Sequence, residues 1–256
     1  MAGIWSYRGL IIKIAVTDLK IRYKNSVLGI LWSLLQPLLT FIVLLIVFTG
    51  LMLNRSIADY PLFLLLGIIG WGFFDKATGF SLLSIVGKPQ LVKKIYFPRE
   101  VLVISACLTA LMMSLIEFAV FGVFMLAAGV MPTPAIGLFP LVLLIEFAFT
   151  LGVSLALSSL NVTLRDIRWI WPVVMQAGFF LTPVMYSMGA LGGIPFARVL
   201  AYNPMGNILD ALRCVLIGRP APLLDDLTYA ALAALAMLLI GWLIFSKLEP
   251  RFAEEV

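Results

Sequence analysis

Between Val27 and Leu53 the chain carries no charged side chain. A run of that length constrains the fold severely, because about 20 apolar helical residues are what it takes to cross the hydrocarbon core of a bilayer. Comparable runs follow at Pro61–Val86, Val101–Val130, Ala135–Leu160, Ile170–Met188 and Leu227–Phe245. Apolar residues make up 62% of the chain and charged ones 12%, with a mean hydropathy of +1.10. Such a composition rules out a water-exposed globular surface. In lipid, backbone polar groups must be satisfied internally, which favours helices. The six runs predict an all-α membrane protein of six transmembrane helices, forming a single transmembrane domain over residues 1–256.

The charges orient it. With the first residues inside, thirteen Lys and Arg fall on the cytoplasmic side, namely Arg8, Lys13, Lys20, Arg22, Lys24, Lys88, Lys93, Lys94, Arg99, Arg165, Arg168, Lys247 and Arg251. Only Arg55, Arg198, Arg213 and Arg219 fall outside. The positive-inside rule then predicts both termini in the cytoplasm. The net charge of +5 is spread over loops and ends in this way, and predicts no nucleic-acid partner. No cleavable leader is read at the start, so the first span is expected to act as an uncleaved anchor.

Residues 4–24 predict an amphipathic helix lying in the interface with membrane lipids. Ile12, Val16, Leu19 and Tyr23 recur at helical spacing, with Trp5 on the same stripe. Lys13, Thr17, Lys20 and Lys24 follow one residue behind, about 100° around the helix. Such a helix lies in the headgroup layer with lysines reaching phosphates; a solvated basic tail is the plainer alternative. Residues 27–188 then hold spans one to five, 227–246 the sixth, and 247–256 a charged cytoplasmic tail.

Lys88–Glu100 is a basic island between spans two and three, bounded by Pro89 and Pro98. It is either an ordinary loop or the place where force from a soluble partner enters. Residues 189–226 are the longest interruption, with Gly192, Gly193 and Pro195, then Tyr202-Asn203-Pro204-Met205. Ile208, Leu209, Leu212, Val215 and Leu216 share a helical face there. The pieces are too short to cross, which predicts a re-entrant helical hairpin or an outer loop. Tyr202, Asn203, Pro204 and Arg213 are its candidate gate residues.

Asp75, Lys76, Glu117 and Glu146 are charges inside spans. Each is costly at a helix centre, so they should face the bundle interior, either as ion pairs or along a watery path. Lys76 has Glu117 and Glu146 as possible partners. Aromatics crowd the same region, and Trp71, Phe74 and Phe179 join the four charges as candidate channel-lining residues. Rings facing a channel can stack on sugar faces.

Several chemistries are excluded. With no histidine, His catalysis and His metal ligation cannot occur, and Cys107 and Cys214 suggest neither a disulfide framework nor a metal site. Gly87-Lys88-Pro89 is the nearest fragment to a nucleotide loop; it lacks the earlier glycine and the hydroxyl that would hold magnesium. ATP and magnesium, if used, belong on another chain.

Three stretches carry a family likeness. Arg22-Tyr23-Lys24-Asn25-Ser26-Val27-Leu28-Gly29-Ile30-Leu31-Trp32-Ser33-Leu34-Leu35-Gln36-Pro37 resembles the opening of permease subunits of bacterial polysaccharide ABC exporters. Leu91-Val92-Lys93-Lys94-Ile95-Tyr96-Phe97-Pro98-Arg99-Glu100 is similar to their segment between spans two and three. Arg165-Asp166-Ile167-Arg168, Leu181-Thr182-Pro183-Val184 and Asn203-Pro204-Met205 resemble their second half, with Thr182 where Ser is common. The resemblance implies a non-enzymatic permease of the bacterial inner membrane, without a cofactor of its own. It implies a homodimer bound to two cytoplasmic ATPase subunits that carry ATP and magnesium. It also implies a lipid-linked glycan cargo such as O-antigen or teichoic acid. Under it, Lys88, Lys93, Lys94, Tyr96, Phe97 and Arg99 are expected to couple to the ATPase. Lys13, Lys20, Arg22 and Lys24 are expected to draw the lipid pyrophosphate.

Other readings stay open on the residues alone. A membrane enzyme would need carboxylates clustered at one interface, whereas these lie on three spans. An ion-coupled carrier would use Asp75, Glu117 and Glu146, but shows two repeated halves in many cases, and none is visible. An ABC exporter for another lipid or drug cargo would share the same architecture.

Overall fold

The computed structural model of the protein describes residues 4–24, 26, 29, 31–51, 59–94, 97–188, 197–219 and 223–255. Every regular element among them is helical. A turn at Ile4–Tyr7 leads into α1 (Arg8–Tyr23), followed by α2 (Leu31–Ile46), α3 (Tyr60–Leu82), the short α4 (Pro89–Lys94) and α5 (Glu100–Ala127). Then come α6 (Phe139–Thr163), α7 (Ile167–Leu181), α8 (Ala197–Ala201), α9 (Pro204–Ile217), α10 (Leu223–Leu248) and α11 (Phe252–Glu255).

The bundle is built around α3. Every residue from Leu62 to Trp71 is buried, as expected of a helix that is apolar all round. It packs against α5, α6, α9 and α2, with α7 along one side. Small residues permit the close approaches, which in membranes replace the hydrophobic drive between helices. A Cβ on Gly67 would lie 2.6 Å from Arg213 Nη2, and one on Gly70 2.5 Å from Leu209 Cδ2. The tightest pairing is α6 with α10, where Gly152 and Gly241 bring the two backbones into contact.

The ends of the bundle differ. At one, Lys88 on the approach to α4 pairs with Asp18 of α1 at 2.5 Å, and Arg99 and Arg165 hydrogen-bond to Glu249 and Glu255. Ile11, Ile85, Val92, Phe97, Val162, Phe245 and Phe252 share an apolar cluster beneath them. The expected cytoplasmic basic segments are thus gathered at one end. At the other, α9 lies against the turn that follows α7.

Among the described residues, five helices are long and apolar enough to cross a membrane. The run read as a fifth span over 170–188 is instead a 15-residue helix, α7, ending at Leu181. At 1.5 Å per residue it reaches about 22 Å, short of the roughly 30 Å core. Pro183 follows, and residues 182–188 form turns. The interfacial helix meets the bundle through Ile11 and Ala15, which are buried, while Trp5 and Ile12 of the stripe expected to face lipid are exposed. Gly192, Gly193 and Pro195 lie outside the described residues.

Candidate functional site

A cavity of about 450 Å³ is walled by α2, α3, α5 and α7. It gathers Trp71, Asp75, Lys76, Glu117 and Phe179, all five expected from sequence to line a channel. Asp75 and Lys76 come from the C-terminal half of α3. Glu117 faces them from α5, where it is 2% exposed and accepts from Lys76 Nζ at 2.5 and 2.6 Å. This resolves the choice of partner for Lys76 in favour of Glu117. Pairing and lining are therefore not alternatives here, because the lysine of a buried ion pair is part of the wall.

Phe74 and Glu146 stand off that wall. Phe74 is buried, its ring 5.6 Å from Trp71 and 5.7 Å from Phe149; it backs the Trp71 ring. Glu146 is 0% exposed on α6 near Gly70, and neither carboxylate oxygen meets a hydrogen-bond partner among the described residues. Helical phase explains both: on α3 and α6 these side chains point into the packed interior.

The cavity also holds residues that charge-based reading passed over. Ser33, Gln36 and Thr40 come from α2, and Gln176 and Phe180 from α7. Uncharged amides inside apolar runs were the available signal. Neutral hydrogen-bonding groups beside aromatic rings can meet hydroxyl-rich matter without fixing its sequence. Pro37 and Pro172, internal to the two outer walls, line it as well.

At the basic end, Lys93 is exposed on α4 and Phe97 is buried beneath it. Lys88 is tied to Asp18, and Arg99 Nη1 donates to the Glu249 carbonyl at 2.8 Å. Lys94 closes α4, and Tyr96 lies outside the described residues. Lys13, Lys20 and Lys24 are exposed. Arg22 lies with its guanidinium 3.6 Å from the Phe80 ring centroid and lines a second cavity of about 380 Å³ with Lys88 and Asp18. Burial lowers the Arg22 pKa, with Tyr23 and Asp18 pulling it back up; a guanidinium stays cationic throughout.

At the opposite end the four candidate gate residues form a clasp. Asn203 caps α9 by accepting from the Met205 N–H at 3.1 Å, with Pro204 at the first helical position, a favoured start. The same Asn203 donates through Nδ2 to Thr182 Oγ1 at 2.8 Å, joining two of the sequence motifs. Arg213 is 1% exposed and donates to the Pro183 and Val184 carbonyls, both at 2.8 Å, and to Asp210 at 3.0 Å. Its guanidinium carbon lies 3.4 Å from the Phe63 ring centroid. Tyr202 is exposed, and its carbonyl accepts from Tyr229 Oη at 2.7 Å.

Comparison with known proteins decides the family. The profile described as ABC-2 type transporter matches residues 10–217. The chain belongs to the ABC-2 type transporter family. It is 32% identical to the O-antigen export system permease protein RfbA of Myxococcus xanthus, covering 99% of this chain and 97% of that one. It is 30% identical to RfbA of Klebsiella pneumoniae, covering 96% and 94%. The polysialic acid transport protein KpsM of Escherichia coli is 24% identical over 91% and 90%. As an ABC-2 permease the chain is a multi-pass membrane protein that carries no catalytic site or cofactor. ATP hydrolysis falls to a separate subunit.

Proposed function

We propose that this permease works as a homodimer with two cytoplasmic ABC ATPase subunits, exporting a lipid-linked polysaccharide of the O-antigen or teichoic acid class across the bacterial inner membrane. The observation that carries this reading is the end-to-end likeness to the Myxococcus xanthus O-antigen permease. The basic end is the cytoplasmic one, with both termini on that side, in keeping with thirteen Lys and Arg in those segments. Counted so, α7 and the turn after Leu181 together make the fifth of six crossings, with α9 beside that turn in the outer part of the membrane.

The cavity between α2 and α7 is the path. Both helices expose apolar side chains in the single chain, among them Trp32, Leu39 and Val43 on one and Val173 and Phe180 on the other. A second copy seated against them joins two cavities into one conduit. Lys13, Lys20, Arg22 and Lys24 attract the lipid pyrophosphate at the inner mouth, as basic residues near a membrane attract anions. The ATPases grip α4 and the flanking Lys88–Arg99 segment, and closure on ATP spreads the two copies. The glycan then slides past Trp71, Phe179 and the amides.

The test is reconstitution with the partner ATPase and a panel of undecaprenyl-linked glycans. One glycan class should accelerate hydrolysis; indifference to every glycan, with stimulation by an unrelated lipid or drug, would move the cargo to another class.

A further inference from the structure

The segment Glu249–Glu255 turns back beneath the basic end of the bundle. Phe252 is 0% exposed, edge-on to Phe245 at 5.3 Å, in the same apolar cluster as Val92 and Phe97. On one side Arg99 Nη1 donates to the Glu249 carbonyl at 2.8 Å, and the Arg99 backbone N–H to its carboxylate at 3.4 Å. On the other side Arg165 Nη2 donates to the Glu255 carbonyl at 3.3 Å. One short segment is therefore bonded to the link before α5 and to the link before α7.

This bears on α4, which has six residues. A helix of that length does not hold itself together in water. Among its described side chains only Val92 is buried, in the apolar cluster that also holds Phe252. α11 itself packs against α4 and α6. The exposed Lys93 on α4 and Arg251 in the underlying segment face solvent with the same sign of charge.

We propose that Glu249–Glu255 is a working part of the surface that receives the ATPase subunit. It holds α4 in the posture the partner grips, adds Arg251 to the charge presented, and links that grip to the Arg165 connection before α7. The partner face that fits is a groove rimmed with carboxylates. The inference rests on reading α4 as the docking element. Phe252 is a positioning residue, whereas Arg251 touches the partner.

The experiment is co-purification of the full permease with its ATPase subunit, scored for ATPase retained across a salt series. Arg251→Glu changes an exposed side chain, so folding is not at issue. It should lower retention about tenfold at low salt, with the gap to the unaltered permease closing as salt rises. Phe252→Ala should lower retention and glycan-stimulated hydrolysis together, and Phe252→Leu should restore both. Lys93→Glu serves as the reference for the docking element. Loss in Lys93→Glu with full retention in Arg251→Glu and Phe252→Ala overturns this proposal and leaves the docking reading standing. Full retention in all three overturns both.

Discussion

Lys76 Nζ lies 2.5 Å from Glu117 Oε1, bridging α3 and α5 at the wall of the 450 Å³ cavity. The two ends of this bridge are unequal: Glu117 is 2% exposed and Lys76 21%. The carboxylate depends on the lysine for its compensation, while the lysine can also reach cavity water. Removing one partner of such a pair is the damaging change, and removing both is not.

Lys76→Met should therefore destabilise the permease by about 3–5 kcal/mol, as expected when a buried charge loses its partner. The double variant Lys76→Met, Glu117→Leu should regain most of that. Thermal midpoints of the detergent-solubilised protein decide it, and equal midpoints for single and double variants would show that the pair is not coupled.

The α6–α10 crossing predicts a sharp positional effect of one methyl group. A Cβ on Gly152 would come within 2.5 Å of the Met237 backbone, and one on Gly241 would collide with the Gly152 backbone. Gly241→Ala should thus abolish accumulation of folded protein in the membrane. Gly122→Ala on α5, with nothing within 4 Å of the added carbon, should be neutral or gain about 0.5–1 kcal/mol. Expression and thermal midpoint measured side by side separate the two.

The clasp at the far end makes a prediction about a hydroxyl. Thr182→Ser keeps the acceptor for Asn203 Nδ2 and should leave stability within about 0.5 kcal/mol, the usual range of mild changes. Thr182→Val removes it and should cost about 0.5–1.5 kcal/mol, the net worth of a hydrogen bond whose Asn203 end is part-buried. Identical behaviour of the two variants would mean that the hydrogen bond contributes nothing.

These sites differ in how far the residues announced them. The basic end was legible because charge bias follows from membrane physics and not from packing detail: Lys88, Arg99 and Arg165 do gather together. The cavity was half legible. Intramembrane charges are expensive enough to stand out, which located Asp75, Lys76 and Glu117. Gln36, Thr40 and Gln176 cost less, and so left a fainter mark. Hydropathy could not tell that α7 stops at Leu181, since Val184 and Met185 are as apolar as the helix before them. The stop comes from Pro183 and from carbonyls turned toward Arg213, a contact thirty residues away in sequence. The side of α1 that meets the bundle, where Ile11 and Ala15 are buried, also left a fainter mark. Lipid and protein both accept apolar side chains, so Ile12 and Ile11 could not be ranked by pattern alone.

The overlooked amides supply a functional prediction. Gln36→Leu and Gln176→Leu keep shape and remove hydrogen-bonding capacity from the cavity wall. Together they should lower glycan export about tenfold, equivalent to ~1.4 kcal/mol, while the partner ATPase still co-purifies. Export assayed by surface glycan against ATPase retention checks this. Unchanged export would place the path elsewhere.

This permease provides the passage and a separate subunit provides the work. The most direct measurement of that division follows a lipid-linked glycan across proteoliposomes containing the permease with and without its ATPase. Transfer should occur only when ATPase and ATP are both present, with none under a proton gradient alone. Transfer by the isolated permease, or transfer driven by that gradient, would contradict it.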